Sequence, residues 1–261
     1  MFKKQTTFKD GNQYIKKNGI YVPTKTVSIR TSGVWKPEKD RMQYALVLLQ
    51  GTNGVQSFQF GIGGGIKATT VDLFSLSAGG VETLLYSVAV AANSTSVGFT
   101  NVPARTLIKF REFELTGAQS THAFYSNSGA ITDIVSFGDN YKARCYPRLS
   151  SGAVATLPIA SPHPYIRTMN FAFNRNVVPA SVGDIDVSLI EDFTSCFLTS
   201  GLSTPLNKWN TANALNMTNM IRNCYYFDQN ISGWNVSKVS VWTGFKVNCP
   251  ISVANTPPKF R

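Results

Sequence analysis

The side chains that carry most protein chemistry are scarce in this chain. Two histidines and fourteen carboxylates serve 261 residues, which narrows acid–base and metal chemistry before any motif is sought. His122 lies eleven residues before Asp133, and His163 sits in the segment SPHPY; neither has a nucleophile motif beside it. Glu112 with Glu114 and Glu191 with Asp192 are the carboxylate pairs that could divide acid and base roles. At alternating or adjacent strand positions they read instead as solvated edges. Four cysteines, Cys145, Cys196, Cys224 and Cys249, could bind zinc or pair as disulfides, but no C-x-x-C spacing brings two together. They read as buried free thiols, with Cys224 and Cys249 near enough for an oxidised pair. The run GIGGGIK (61–67) has the glycines of a phosphate loop without the Gly-Lys-Ser/Thr ending or a following helical period, so a glycine-rich strand bend is expected. Asn93, Asn216, Asn230 and Asn235 each head an Asn-x-Ser/Thr triplet; they read as turn and strand residues rather than glycan acceptors. The expectation is a protein that is not an enzyme, with no catalytic, cofactor-binding or metal-binding residues.

Recognition chemistry is better supplied. Tyr225 and Tyr226 stand side by side, and aromatic side chains dominate binding hot spots and stack on sugars. Trp209, Trp234 and Trp242 lie in the same region, but their spacing puts the first two in a core column. The net charge of +11 is concentrated at one end: residues 1–41 hold ten Lys/Arg against three acids, a surplus of seven. Such an arm can meet nucleic acid or an acidic protein surface. It has no extended Lys/Arg run and no nucleic-acid-binding motif, so docking is expected and nucleic acid is not.

These residues need elements to position them. Within the arm, YIKKNGIYVP (14–23) and SIRTSGVWKP (28–37) superpose at an offset of 14: Lys16 falls on Arg30, Tyr21 on Trp35, and Asn18-Gly19 on Ser32-Gly33. Asn-Gly or Ser-Gly between β-prone residues predicts tight hairpins. The segments 18–22 and 32–36 resemble short motifs of phage tail and fibre proteins. That resemblance makes Lys16, Lys17, Tyr21, Arg30, Trp35 and Lys36 candidates for docking onto other virion proteins. Residues 42–117 alternate apolar runs with Gly/Asn/Ser turns, as a small sandwich would. No stretch reaches 18 apolar residues, so no membrane span is expected. The N-terminal residues lack the apolar core of a secretory signal.

From 118 to 249 the pattern changes to a period of 24–25. Met217, Met220 and Ile221 fall on Phe193, Cys196 and Phe197, and before them on Met169, Ala172 and Phe173. Ile231-x-x-Trp234-Asn235-Val236 falls on Leu206-x-x-Trp209-Asn210-Thr211 and on Val182-x-x-Ile185-Asp186-Val187. A further column reads Asn176, Ser200, Cys224 and Cys249. Weaker upstream units take in Phe124-Tyr125-Ser126, with Cys145 and Leu149 in the intervening slots. One such unit cannot bury its apolar face alone, but stacked units form continuous columns.

MIRNCYYFDQNISGWNVSKV (220–239) resembles the BspA-like leucine-rich repeat of Mycoplasma-type surface proteins, with Ile221 in place of the usual Phe and Asn230 and Asn235 in place of the usual Asp. The resemblance implies a leucine-rich-repeat solenoid. The whole chain is then expected to be mainly β: a hairpin arm (1–41), a β-sandwich (42–117), a repeat solenoid with short helical or irregular turns (118–249) and an extended tail (250–261). The functional expectation is a bacteriophage virion component of the tail, fibre or decoration type, a homo-oligomer anchored by its arm, whose repeats meet a host polysaccharide or protein. A bacterial cell-surface adhesin is the alternative.

Overall fold

A computed structural model describes residues 44–50, 54–62, 64–116, 131–138, 140–148, 157 and 163–261, together with the backbone of 6–7, 13–17, 20–23, 30–31, 34–35, 63, 124–126 and 149. Three short strands come first, β1 (Thr6–Thr7), β2 (Gln13–Lys17) and β3 (Ile20–Pro23), followed by β4 (Arg30–Thr31) and β5 (Val34–Trp35). Strands β2 and β3 pair antiparallel with Lys17 opposite Ile20, and β4 pairs with β5 with Thr31 opposite Val34. Each register leaves two residues between the strands, the spacing that Asn-Gly and Ser-Gly predict. The 14-residue repeat is visible in the pairing: Lys16 faces Tyr21, and Arg30 faces Trp35.

The next strands are β6 (Leu46–Gln50), β7 (Gln56–Ile66), β8 (Thr69–Leu76), β9 (Glu82–Val90), β10 (Ser94–Val102), β11 (Thr106–Phe110), β12 (Phe113–Glu114), β13 (Phe124–Ser126), β14 (Ile131–Phe137), β15 (Tyr141–Lys142) and β16 (Arg148–Leu149). Nine of them form a five-stranded sheet, β14-β6-β11-β8-β9, and a four-stranded sheet, β10-β7-β13-β16, while β12 and β15 pair in parallel by themselves. Apart from the parallel β13–β16 pair, every pairing in these two sheets is antiparallel. Leu46, Leu48, Ile108 and Phe110 share one core cluster with Phe58, Phe60, Ile62 and Phe99 of the opposite sheet. Alternation along a strand sends the intervening residues to the other face. There Val47, Leu49 and Leu107 join Tyr44, Leu76 and Val135 in a second cluster. Every residue of β6 and β11 is therefore buried.

Lys109 of β11 belongs to that second face, and a buried ammonium needs a partner. Its Nζ lies 2.8 Å from Glu82 Oε2 and about 5 Å from the ring centres of Tyr44 and Phe74. Nearby, burial raises the pKa of the Asp72 carboxyl, but hydrogen bonds from Arg111 and Ser87 outweigh this and leave it below the usual carboxylate range.

The sheets continue past the expected boundary at 117. Phe124–Ser126, expected as a worn repeat unit, is instead a strand beside β7, and Ile131–Phe137 pairs with β6. The backbone bonds of neighbouring strands outweigh the weak likeness to the repeat. The glycine run behaves as expected: it ends β7, with Gly64 and Gly65 at positive φ and an irregular register against β10. A Cβ on Gly65 would lie 3.0 Å from the backbone of Asn93, so the bend and the neighbouring turn fit only without a side chain.

One apolar cluster runs from the sandwich into the C-terminal region. Phe113 stacks on Tyr141 at 5.1 Å, Phe137 meets Tyr146, and Tyr146 meets Phe173. Tyr141 OH donates to the Cys145 carbonyl at 2.6 Å, and His163 Nε2 lies 3.0 Å from the Gly138 carbonyl.

Candidate recognition surface

From 166 onward the chain makes successive turns that stack on one another. Parallel single-residue bridges link Cys145, Thr168, Asp192, Asn216 and Val241, so each step is one repeat. The first bridge shows that Tyr146, rather than Cys145, takes the slot of Met169: the Tyr146 N–H bonds Thr168 O just as the Met169 N–H bonds Asp192 O.

Apart from a short 3-10 helix at Ala180–Asp184, neither helix nor long strand builds these turns, so their backbone groups need another solution. Alternate N–H groups go to the next turn: Phe193, Ser195, Phe197 and Thr199 donate to the carbonyls of Asn216, Thr218, Met220 and Arg222. The intervening Cys196, Leu198 and Ser200 N–H groups bond back three residues to close tight turns. This winding needs a left-handed residue at two places per unit. Those places hold Phe171 and Arg175, then Ser195 and Thr199, then Asn219 and Asn223, then Gly244 and Asn248. Asn and Gly adopt that conformation most readily, which helps make 217–224 the best-formed unit in sequence terms.

The Asn-x-Ser/Thr triplets have a second structural role. Asn216, Asn230 and Asn235 each accept the N–H of the residue two positions on, through Oδ1, at 2.9–3.2 Å. The hydroxyls of Ser232 and Ser237 bond the same oxygens. Asp186, Asp192 and Asn210 make the equivalent turn in other units. A side-chain oxygen at this position nucleates a turn through local hydrogen bonding, and Asp and Asn supply it equally.

Inside the stack, like residues form columns. Phe173 stacks on Phe197 at 5.4 Å, and Trp209 stacks on Trp234. The Trp209 and Trp234 indole N–H groups donate to the carbonyls of Val182 and Leu206, at 2.9 and 3.0 Å. Cys224 Sγ lies 3.7 Å from Ser200 Oγ and donates to Phe197 O. Cys145, Cys196 and Cys224 are buried, Cys249 is half-buried, and all four are free thiols. Burial pushes the Cys224 thiol up to about 11 and raises Cys196 and Cys249 as well, which suppresses thiolate reactivity at neutral pH.

The last described turn is closed differently. Residues 250–261, expected as an extended tail, fold back with a short 3-10 turn at Pro258–Phe260. Phe260 is buried against Trp242 and Phe245. Lys259 Nζ donates to the carbonyls of Val236, Ser237 and Val239 and lies 5.2 Å from the centre of the Trp242 ring. No sequence pattern announced this lysine; a single cation at position 259, outside the repeat units, gives no periodic signal. Beside it runs a groove of about 500 Å³ lined by residues 240–247 and Phe260. Among the described residues, the N–H groups of Trp242, Gly244, Lys246 and Asn248, which follow the forward donors of the preceding turn, have no partner.

Against this ordered interior, Tyr225 and Tyr226 are 61% and 74% exposed. They follow Cys224 directly, so a fully buried residue fixes the backbone from which they project. Of the candidate docking residues, Lys16, Lys17, Tyr21, Arg30 and Trp35 lie on the paired strands β2 to β5; Lys36 lies outside the described residues, as does His122. The carboxylate pairs are dispersed into ion pairs and turns: Glu114 with Lys67, Glu191 with Arg144 and Arg167, and Asp192 with the Thr194 N–H. The described residues contain no group of three or more His, Cys, Asp or Glu that could hold a metal ion, and no helix among them is long and apolar enough to cross a membrane.

Residues 167–247 match the family model described as "Mycoplasma protein of unknown function, DUF285". No curated protein and no solved structure matches the chain.

Proposed function

We propose that the chain is a non-catalytic attachment protein. In this reading the stacked turns are a leucine-rich-repeat-type solenoid that presents Tyr225 and Tyr226 to a surface polysaccharide or protein. The observation that carries it is the contrast within one unit: Ile221, Cys224, Phe227 and Trp234 are buried while the adjacent tyrosines face solvent. Two neighbouring exposed aromatics on a rigid frame supply contact area at low entropic cost, as binding hot spots do.

The N-terminal hairpins serve as the anchor in this reading. Each places a cation opposite an aromatic, and the arm carries a surplus of seven positive charges. The proposed home is a bacteriophage particle, with the arm docked on other virion proteins. A specific observation favours the second home, a bacterial cell surface: the repeats match a Mycoplasma family.

Mass spectrometry of purified particles and of host envelope fractions separates the two homes. Presence in particles supports the first, and recovery only in the envelope overturns it. The attachment role is tested by Tyr225→Ala with Tyr226→Ala in a cell-binding assay. Loss of binding by a folded variant is expected, and unchanged binding overturns the proposal.

A further inference from the structure

Three of the edges among the described residues differ in chemistry. Among the described residues, the N–H groups at 242, 244, 246 and 248 of the last turn have no partner. The carbonyls of 241, 243, 245 and 247 already accept bonds from the preceding turn. A row of donors with its acceptors used cannot pair with its own copy. Strand β10, an edge of the four-stranded sheet, alternates in the protected manner: Val97, Phe99 and Val102 are buried, while Thr95, Ser96, Gly98 and Thr100 are exposed. Its outward side chains are small or polar.

Strand β9, the edge of the five-stranded sheet next to β10, has no such protection. Its residues from Thr83 to Ser87 are all exposed. Leu84 is 52% exposed, Leu85 39% and Tyr86 38%, and Val81 just before the strand is 54% exposed. The register explains why apolar surface reaches this edge from both faces. Leu84 stands beside Phe74, which packs on the outer cluster; Tyr86 and Val88 stand beside Leu73 and Val71 of the inner core. Leu85 falls at the irregular step between these pairs. Natural edges are usually guarded by a lysine, a proline or a covering element. From Thr83 to Val90 the strand reads TLLYSVAV, with no charge, proline or glycine. Its one carboxylate, Glu82, is turned onto Lys109.

We propose that β9 is the interface at which two copies of this chain pair antiparallel about a two-fold axis, extending the five-stranded sheet to ten. The occupant follows from the chemistry. An edge strand offers donors and acceptors alternately, so an identical strand turned by two-fold symmetry satisfies both. Each copy carries a net charge of +11, so two copies repel, chiefly through the basic arms. This uncharged strand brings no like charges together. The added strand covers apolar surface on both faces of the sheet, and the pairing closes at two copies because each β9 is used once.

Sedimentation velocity of the full chain over a concentration series tests the inference, alongside Leu84→Lys and Tyr86→Lys. Both positions are exposed, so the substitutions leave the core intact. The wild type is expected to pass from monomer to dimer, with each lysine weakening association by at least about tenfold, equal to 1.4 kcal/mol. Amide exchange in 82–90 is expected to slow as the dimer fills. A wild type that stays monomeric, a dimer indifferent to both lysines, open-ended assemblies, or a dimer whose 82–90 amides exchange as fast as the monomer's would each overturn the proposal.

Discussion

The indole rings of Trp209 and Trp234 lie 6.1 Å apart and 8° from parallel, one repeat apart in sequence. Each N–H reaches a carbonyl some 27 or 28 residues earlier, so each tryptophan joins its turn to the one before by a hydrogen bond, and Trp234 does so by stacking as well. Replacing Trp234 with alanine is expected to cost about 3–5 kcal/mol, the range for a large buried aromatic. Phenylalanine, which keeps a ring but strands the Leu206 carbonyl, is expected to cost about 1–3 kcal/mol. Chemical denaturation of the two variants checks the order; a phenylalanine variant as stable as wild type would show that the indole N–H contributes nothing, and equal losses would show that the ring's packing contributes nothing.

The triplet asparagines act through Oδ1, which sets a clear contrast between substitutions. Asn235→Asp retains the turn-forming oxygen and is expected to be nearly neutral. Asn235→Ala is expected to lose about 1 kcal/mol. Asp186 and Asp192 already do the same work in this chain. Thermal melts of the pair decide it: if aspartate destabilises as much as alanine, the turn is not the reason for the residue.

Cys224 gives the stack a pH dependence at the alkaline end. Burial raises its folded pKa to about 11, from an ordinary 9.0, so the folded state holds its proton where the unfolded chain has released it. The thiol's contribution is therefore intact below pH 9 and is lost as pH rises through about 11. Wild type should lose about 2–3 kcal/mol more over that window than Cys224→Ala. Parallel stability curves for the two proteins would contradict the assignment.

Tyr225 and Tyr226 are expected to contribute recognition without stability. Their double alanine variant should unfold within about 0.5 kcal/mol of wild type, as surface substitutions do. Urea titration supplies that comparison. A large loss would place the rings in packing contacts and remove the case for a recognition surface.

How much of this was legible in the residues depends on what each residue faces. The 24–25-residue period could be read because Phe193, Met217 and their counterparts occupy one buried column, and burial restricts residue type. The hairpin register could be read from Asn18-Gly19 and Ser32-Gly33. The boundary at 117 could not: Phe124-Tyr125-Ser126 carries the same residue types as a repeat unit, and only its pairing with β7 places it in a sheet. Cys145 was one residue out of register because Tyr146 beside it is equally apolar. Strand β9 was read with the sandwich's other apolar runs; composition does not say which strand of a sheet stands at its edge. The clamp at Lys259 was hidden for a related reason, since a lysine that bonds carbonyls reads in sequence like any solvated one.

The alternate N–H bonds that join one turn to the next give the stack a mechanical character. They run along its axis, so a load applied through the C-terminal side meets the bonds of a single turn at a time. The Lys259 clamp and Phe260 yield first, and each later event frees one repeat, a gain of roughly 80 Å of chain. Optical-tweezer extension should record a staircase of such steps, and rupture of the whole stack in one event would refute it. A domain built this way gives ground gradually under tension and can rewind from whatever turn still holds.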